Sequence, residues 1–329
     1  MTTGLPFDDF RQLLKTLPGP NEAAHARAVA RTATLSSQGP ALGRAGTIAA
    51  WLAAWTGRDP QVLRPLVALF AGTHGVFRHG VSPRGAGDTQ AMIEHCAAGG
   101  AMVNQLCAAG DLGLKVFDLA LHLPVGDITQ EPALDERGCA ATMAFGMEAV
   151  AGGIDLLCVG GVGAGGTTSA AAIMFGLFGG EAGDWVGPGA GADDAMMARK
   201  VEAVEKAVAL HGAHLKDPLE ALRRLGGREF AAIAGAILAA RVEKVPVILD
   251  GYASLAAAAI LHAATPSAID HCLLGHVSTE PGMARAAALM GLQPLLDLSL
   301  GDGEGAGAAF AAGIVKNAAL VHSGMALRT

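Results

Sequence analysis

The chain of 329 residues is long enough for one large domain, or for one large and one small domain, and either arrangement buries a substantial core. Its formal net charge is −7 and it has no run of Lys or Arg, so it lacks the basic footprint of a nucleic-acid or anionic-membrane binder. With 51% hydrophobic but 4% aromatic residues and 46 glycines, the composition favours helices packed on a buried sheet over an all-β sandwich.

The cysteines and the uncharged segments point to a cytoplasmic protein. Five cysteines occur singly, without a CxxC pair, which argues against a disulfide or zinc framework and predicts buried thiols in a reducing compartment. Residues 1–11 lack the basic start and apolar core of a signal peptide, so no export is expected. The uncharged stretch 156–180 is interrupted by many glycines, which predicts a buried strand, turn and helix and not a membrane span.

The order of predicted elements indicates an α/β fold with a parallel, Rossmann-like sheet. The first sixty residues show helical patterns at 8–17, 22–35 and 42–55 and no convincing strand. Short apolar runs then alternate with helical patterns, which predicts six strands, at 67–70, 115–120, 156–159, 245–249, 272–275 and 295–298. Because ligands bind beyond the carboxyl ends of such strands, we expect the site in the loops that follow them.

The loop after the third predicted strand is glycine-rich. Residues 161–166 fit the GxGxxG pattern of dinucleotide-binding proteins, but that fold needs a further strand ending in an acidic residue about twenty positions later. A nicotinamide-dependent dehydrogenase is therefore disfavoured. Free N–H groups at the following helix, with Thr167 or Thr168 near its start, favour a phosphate, while a tight structural turn is the alternative.

The loop after the sixth predicted strand carries two carboxylates among small residues. Asp302 and Glu304 precede a helix predicted at 308–321, and Glu304 is placed to accept a proton from a ligand. The alternative is an acid that only offsets the helix dipole.

Three further polar residues admit two interpretations each. His74 and His276 end predicted strands but have no second ligand at metal-binding spacing, so we expect hydrogen-bonded histidines of the core or site wall and no metal site. Lys200 follows a glycine-rich segment and is either a phosphate contact or a surface lysine.

Taken together, these loops resemble those of the nicotinate-nucleotide:5,6-dimethylbenzimidazole phosphoribosyltransferases of cobalamin lower-ligand assembly. The resemblance covers nearly the whole chain and includes Thr73-His74-Gly75-Val76, Gly165-Gly166-Thr167-Thr168 and Gly303-Glu304-Gly305-Ala306-Gly307. The remaining similar stretches are 82–83, Gln90, 97–100, 131–134, 186–189, 246–251, 275–278 and 280–282.

The resemblance implies the activity and the organisation of the molecule. The ribose phosphate of nicotinate mononucleotide would move to dimethylbenzimidazole, with no cofactor, because the pyridinium leaving group is already positive. Glu304 would be the general base, by its position in the Gly-Glu-Gly motif. The family also implies a homodimer whose small helical domain comes from both chain ends, here residues 1–60 and 305–329, beside a large α/β domain of residues 61–304 that carries the active site.

Carried over residue by residue, the resemblance implies two groups of ligand contacts. The base would lie beside Ser82, Gln90, Val162 and Asp302. The ribose phosphate would lie near Gly163, Gly165, Lys200, Ser278 and Gly303.

Several departures from the family pattern fall in the predicted site. Gly161 stands where the family usually has glutamate, Gly166 where it has asparagine, and Gly301 and Asp302 where it has arginine and an apolar residue. A diverged paralogue that binds benzimidazole or nucleotide with weak, altered or no catalysis is therefore the alternative function. We also hypothesise that Asp302 takes the place of the carboxylate lost at position 161 and so changes the protonation of Glu304.

Overall fold

A computed structural model describes residues 4–37, 39–85, 87–301 and 304–326. It confirms the α/β class and all six predicted strands, which form one parallel sheet in the order β2-β1-β3-β4-β5-β6. The strands are β1 Pro65–Ala71, β2 Gly113–Asp118, β3 Leu156–Val162, β4 Val247–Asp250, β5 Cys272–Val277 and β6 Pro294–Asp297.

Helices connect and cover these strands. The N-terminal prediction is confirmed, because three helices precede β1 and the described residues there contain no strand. The helices are α1 Asp8–Lys15, α2 Glu22–Ser37, α3 Arg44–Thr56, α4 Asp88–Ala97, α5 Met102–Gly110, α6 Glu136–Met147, α7 Gly166–Phe178, α8 Asp194–His211, α9 Pro218–Leu225, α10 Arg228–Val242, α11 Gly251–Ala264, α12 Pro281–Leu289 and α13 Ala306–Gly324.

The sheet is buried on both faces because alternate residues of its strands point to two separate apolar layers. On β1, Leu66, Ala68 and Phe70 contribute to the layer of α6, α7, α10 and α11. Val67 and Leu69 point the other way, into the layer of α3, α5 and α13. Successive side chains of a strand alternate between faces, so these strands are apolar at nearly every position.

The strand order reverses between β1 and β3, and this fixes where ligands can enter. The chain leaves β1 towards β2 on one side and later passes from β3 to β4 on the other. The loops that follow β1 and β3 therefore lead to helices on opposite faces of the sheet. At the start of these loops the Gly72 N–H donates to the Val162 carbonyl. Such a reversal opens a crevice at the carboxyl ends of the strands.

Two further predictions are confirmed, one about the stretch 156–180 and one about the cysteines. The stretch 156–180 contains β3 and α7, and no helix in the described residues combines the length and apolarity needed to cross a membrane. All five cysteines are buried free thiols.

The predicted division into two domains stays a prediction. α13, which it assigns to the small domain, packs against α3 of that domain and also against β4 and β5 of the sheet.

The crossing of α6 and α10 provides a test of the packing. A Cβ built on Gly235 overlaps the carbonyl oxygen of Met143, so the two backbones touch directly. Gly235→Ala is expected to lower the free energy of unfolding by about 1–3 kcal/mol, the usual cost of overpacking. Gly313→Ala is the matched control, since a Cβ on that α13 residue meets nothing within 4 Å. Urea denaturation of both variants measures the difference, and equal stabilities would contradict the crossing.

His271 makes the stability of the fold depend on pH. Complete burial, and secondarily the charge of Arg241, lowers the pKa of this imidazole to about 3. The ring is neutral in the folded chain and titrates near its ordinary value when unfolded, so unfolding takes up a proton between these values. Stability is expected to fall as pH falls from about 6.5 towards 3, by up to about 1.4 kcal/mol per pH unit. Denaturation of His271→Gln across this range should show a shallower slope than the unsubstituted chain.

Candidate active site

Two adjoining cavities lie at the carboxyl edge of the sheet. They share Gly161, Gly163, Thr167 and Gly301. The Glu304 cavity is further lined by Ser82, Arg84, Thr89, Met92, Val162, Ala164, Gly165, Ala190 and Glu304. The Glu280 cavity is further lined by Gly166, Glu229, Gly251, Tyr252, Ala253, Ser278 and Glu280. The two cavities therefore adjoin along one glycine-rich wall.

Glu304 is held at the first cavity by the start of α13. The next residue, Gly305, caps this helix with φ of 79°, a left-handed conformation that favours glycine. A Cβ on Gly160 of β3 would lie 3.0 Å from the Gly305 nitrogen. The backbone before α13 thus touches the end of β3, and this contact brings Glu304 to the same cavity as Ser82 and Val162.

The loop after β1 packs directly against the loop after β3. A Cβ on Gly163 would lie 2.7 Å from the Gly72 carbonyl oxygen. From the side of α4, the Ala164 N–H donates to Thr89 Oγ1 at 3.1 Å. Gly163 and Gly165 line the Glu304 cavity. Their predicted contact with a phosphate or ribose stays a prediction.

The predicted base contacts are brought together in part. Ser82 and Val162 line the Glu304 cavity. Gln90 is exposed and donates to Glu94 at 2.9 Å. The residues of α4 that line the cavity are Thr89 and Met92. Asp302 and Gly303 lie outside the described residues, so their predicted contacts and the hypothesis about Asp302 stay predictions.

Lys200 is buried beside the second cavity and not on the surface. Its ammonium donates to Thr167 Oγ1 at 3.1 Å and to the Gly187 carbonyl. Burial lowers the pKa of Lys200, while the charge of Glu280 raises it. Thr167 lines both cavities, so it lies between the Lys200 charge and any ligand there.

Glu280 is a buried carboxylate on the wall of the Glu280 cavity. Burial raises the pKa of this carboxyl group, against the lowering effects of Lys200 and of the Gly189 and Gly187 N–H groups. Ser278, predicted near the phosphate, lies beside it on the wall of the Glu280 cavity, and Ser278 Oγ accepts from the Glu280 N–H at 3.3 Å.

Both predicted wall histidines are buried and paired with carboxylates. His74 Nε2 bonds to Glu229 Oε1, and His74 Nδ1 lies 3.2 Å from Ser169 Oγ. His276 Nδ1 lies 2.9 Å from Asp250 Oδ1, at the ends of β5 and β4. The expectation of a buried, hydrogen-bonded histidine is confirmed for His74, and His276 is buried beside a carboxylate. Across the part of the chain that the structure describes, no group of three or more acidic, histidine or cysteine side chains suits a metal ion.

Five polar residues of the two cavities were not predicted from the sequence. They are Arg84, Thr89, Glu229, Tyr252 and Glu280. Glu280 lies within a stretch that resembles the family and Arg84 follows another, so these stretches were a usable signal. Glu229 had none, because a glutamate in the first turn of a helix is ordinarily a surface residue.

The chain is similar to known proteins over nearly its full length. A phosphoribosyltransferase family model matches residues 17–329. The nicotinate-nucleotide–dimethylbenzimidazole phosphoribosyltransferases of Rhizobium etli and Rhizobium meliloti are each 65% identical over 324 residues, 98% of this chain and 96% of theirs.

A solved structure shows the same fold. The nicotinate-nucleotide–dimethylbenzimidazole phosphoribosyltransferase of Thermus thermophilus superposes with a TM-score of 0.85 at 33% identity, covering 93% of this chain and 97% of that one. Fold, identity and coverage agree, and the chain belongs to the nicotinate-nucleotide–dimethylbenzimidazole phosphoribosyltransferase family.

Proposed function

We propose that the chain transfers the ribose phosphate of nicotinate mononucleotide to 5,6-dimethylbenzimidazole, releasing nicotinate and forming α-ribazole 5′-phosphate for cobalamin biosynthesis. The observation that carries the proposal is the Glu304 carboxylate on the wall of a cavity that continues across glycine backbone into a second one. We further propose that the enzyme acts in the cytoplasm, as a homodimer, with the two-domain division given above.

The reaction needs a base, a positioned nucleophile and a leaving group. One benzimidazole nitrogen forms the new bond to the anomeric carbon while the bond to the pyridinium nitrogen breaks, and nicotinate leaves with the bonding electrons. Glu304 accepts the proton from the other benzimidazole nitrogen. Departure neutralises the pyridinium charge, so the positioned substrates and this one proton acceptor complete the reaction.

The two cavities suit the two faces of the ribose. Attack that gives the α product comes from the face opposite the leaving group of a β nucleotide. The Glu304 cavity, with Ser82 and Val162, takes the base, and Asp302 is proposed beside it. Backbone at Gly163, Gly165 and Gly303 with Ser278 takes the ribose phosphate, and Lys200 acts through Thr167.

Glu304→Gln tests the general base. It is expected to lower kcat by on the order of 10² or more, because the glutamine amide cannot accept the proton. Release of free nicotinate from nicotinate mononucleotide and dimethylbenzimidazole measures it. Glu94→Gln, an exposed carboxylate of α4, is the control and should keep the full rate.

Two outcomes contradict parts of the proposal. Full activity of Glu304→Gln removes this residue as the base. Binding of both substrates by the unsubstituted chain without nicotinate release favours the alternative of a paralogue that binds without chemistry, an outcome that the glycines at positions 161, 166 and 301 keep open.

Ser82→Ala and Gln90→Ala distinguish the predicted base contacts. Ser82 lines the Glu304 cavity, so loss of one hydrogen bond of about 1 kcal/mol is expected to raise KM for dimethylbenzimidazole roughly fivefold. Gln90 points to Glu94, and its removal is expected to change KM less than about twofold. Steady-state kinetics at saturating nucleotide measure both. A larger effect at Gln90 shows that it turns inward when the base binds.

A further inference from the structure

Asp250 and His276 form a fully buried pair that the mechanism above does not use. Both side chains have 0% of their surface exposed, and His276 Nδ1 lies 2.9 Å from Asp250 Oδ1. None of the carboxylate oxygens or ring nitrogens of this pair makes a hydrogen bond of normal geometry to any described residue. Buried polar groups are nearly always hydrogen-bonded, so the pair needs a reason other than its own stability.

The pair lies directly against the first turn of α13. A Cβ built on Gly307, in that first turn, would overlap Nδ1 of His276 and would lie 2.5 Å from Oδ1 of Asp250. The helix backbone and the pair can touch only because Gly307 has no side chain. The first turn of α13 therefore rests on His276 and Asp250 and cannot move closer to the sheet without displacing them.

The position of Asp250 suits a negative charge. Asp250 is the residue before α11, which begins at Gly251, and its carboxylate also lies against the first turn of α13. The first N–H groups of a helix have no acceptor within the helix, and the helix dipole is positive there. Because two helices begin at this carboxylate, Asp250 attracts the first turn of α13 towards the ends of β4 and β5.

Backbone contacts on both sides of the pair fix the same turn. A Cβ on Gly160 of β3 would lie 3.0 Å from the Gly305 nitrogen. A Cβ on Gly275 of β5 would lie 3.2 Å from Cα of Ala308. The start of α13 thus touches neighbouring strands of the sheet around the pair, and Glu304 comes directly before the capping residue Gly305.

We propose that Asp250 and His276 are positioning residues for the reaction, because they hold the first turn of α13 where Glu304 reaches the base. This inference rests on the proposed function, since it takes Glu304 as the proton acceptor. Neither Asp250 nor His276 lines the two cavities, so both act through Glu304 and not on the substrate. Proton transfer needs the carboxylate within hydrogen-bond reach of the base, and a displacement of about 1 Å can cost about 10² in rate.

Asp250→Asn and His276→Ala test the proposal on the full chain, each alone and each combined with Glu304→Gln. With Glu304 present, each is expected to lower kcat for nicotinate release by about tenfold or more, because the proton acceptor is displaced. Combined with Glu304→Gln, each is expected to lower the residual rate less than about twofold, since no proton acceptor remains to be displaced.

The comparison of the two backgrounds separates positioning from stability. A merely structural role removes the same fraction of active enzyme whether position 304 is glutamate or glutamine. Equal factors in the two backgrounds therefore overturn the proposal, as does an unchanged kcat when Glu304 is present.

Gly307→Ala tests the contact from the helix side, with Gly313→Ala as the matched control on the same helix. The added Cβ overlaps the pair, so Gly307→Ala should show the same dependence on Glu304 as Asp250→Asn. A Cβ on Gly313 meets nothing within 4 Å, and Gly313→Ala should keep kcat within about twofold. Full activity of Gly307→Ala overturns the proposal, because the first turn of α13 would then tolerate displacement.

Failure of the proposed function gives a different result. If Glu304→Gln keeps the full rate, or if the unsubstituted chain releases no nicotinate, the assignment of the base fails whatever the pair does. Calorimetric binding of dimethylbenzimidazole then decides the positioning alone, because a carboxylate on the cavity wall still accepts from the base N–H. Asp250→Asn should weaken that binding only when Glu304 is present. Equal effects in both backgrounds, or no binding at all, overturn the inference.

Discussion

The close approach of backbone at the carboxyl ends of β1 and β3 determines where the groups of the cleft can stand. Gly163 lies against the carbonyl of Gly72, and Gly160 lies against the nitrogen of Gly305. No side chain fits between these segments, so the loops after β1 and β3 and the start of α13 form one continuous surface. The two cavities share that surface, and Glu304 reaches one of them because α13 begins in contact with β3.

Buried polar side chains connect this surface to the surrounding helices. His74 bonds to Glu229 of α10, Lys200 of α8 donates to Thr167 of α7, and His276 lies 2.9 Å from Asp250 across two strand ends. Removing one member of such a buried pair leaves an unsatisfied polar group, which costs about 1–3 kcal/mol. Each pair joins residues far apart in sequence. These side-chain contacts therefore fix the relative positions of loops that otherwise touch through glycine backbone.

The sequence was sufficient for the fold and for part of the site. Strands such as β1 and β3 are buried on both faces, so their apolar runs are unmistakable, and glycine-rich segments mark the loops beyond them. The residues of α4 that face the cavity could not be predicted from the sequence in the same way. Successive helical residues point about 100° apart, so the difference between Gln90 and Thr89 depends on how α4 rotates against the loop after β3, which tertiary packing decides. The burial of Lys200 and Glu280 has the same origin, because neither residue type is normally buried without a partner that only the fold supplies.

Gly161 and Gly166 lie against side chains that pack beside the loop after β3. A Cβ on Gly161 would lie 2.8 Å from that of Ala253 and 3.6 Å from Cγ of Glu229. A Cβ on Gly166 would lie 3.4 Å from His74 Nε2 and 3.5 Å from Glu229 Oε1. A side chain at position 161 would have to displace Ala253, whereas a Cβ at position 166 would make ordinary van der Waals contact with the His74–Glu229 pair. The loop after β3 carries no carboxylate of its own, but Glu229 of α10 and Glu280 both line the Glu280 cavity beside it. The acidic groups of this cavity therefore come from elements that pack around the glycine backbone.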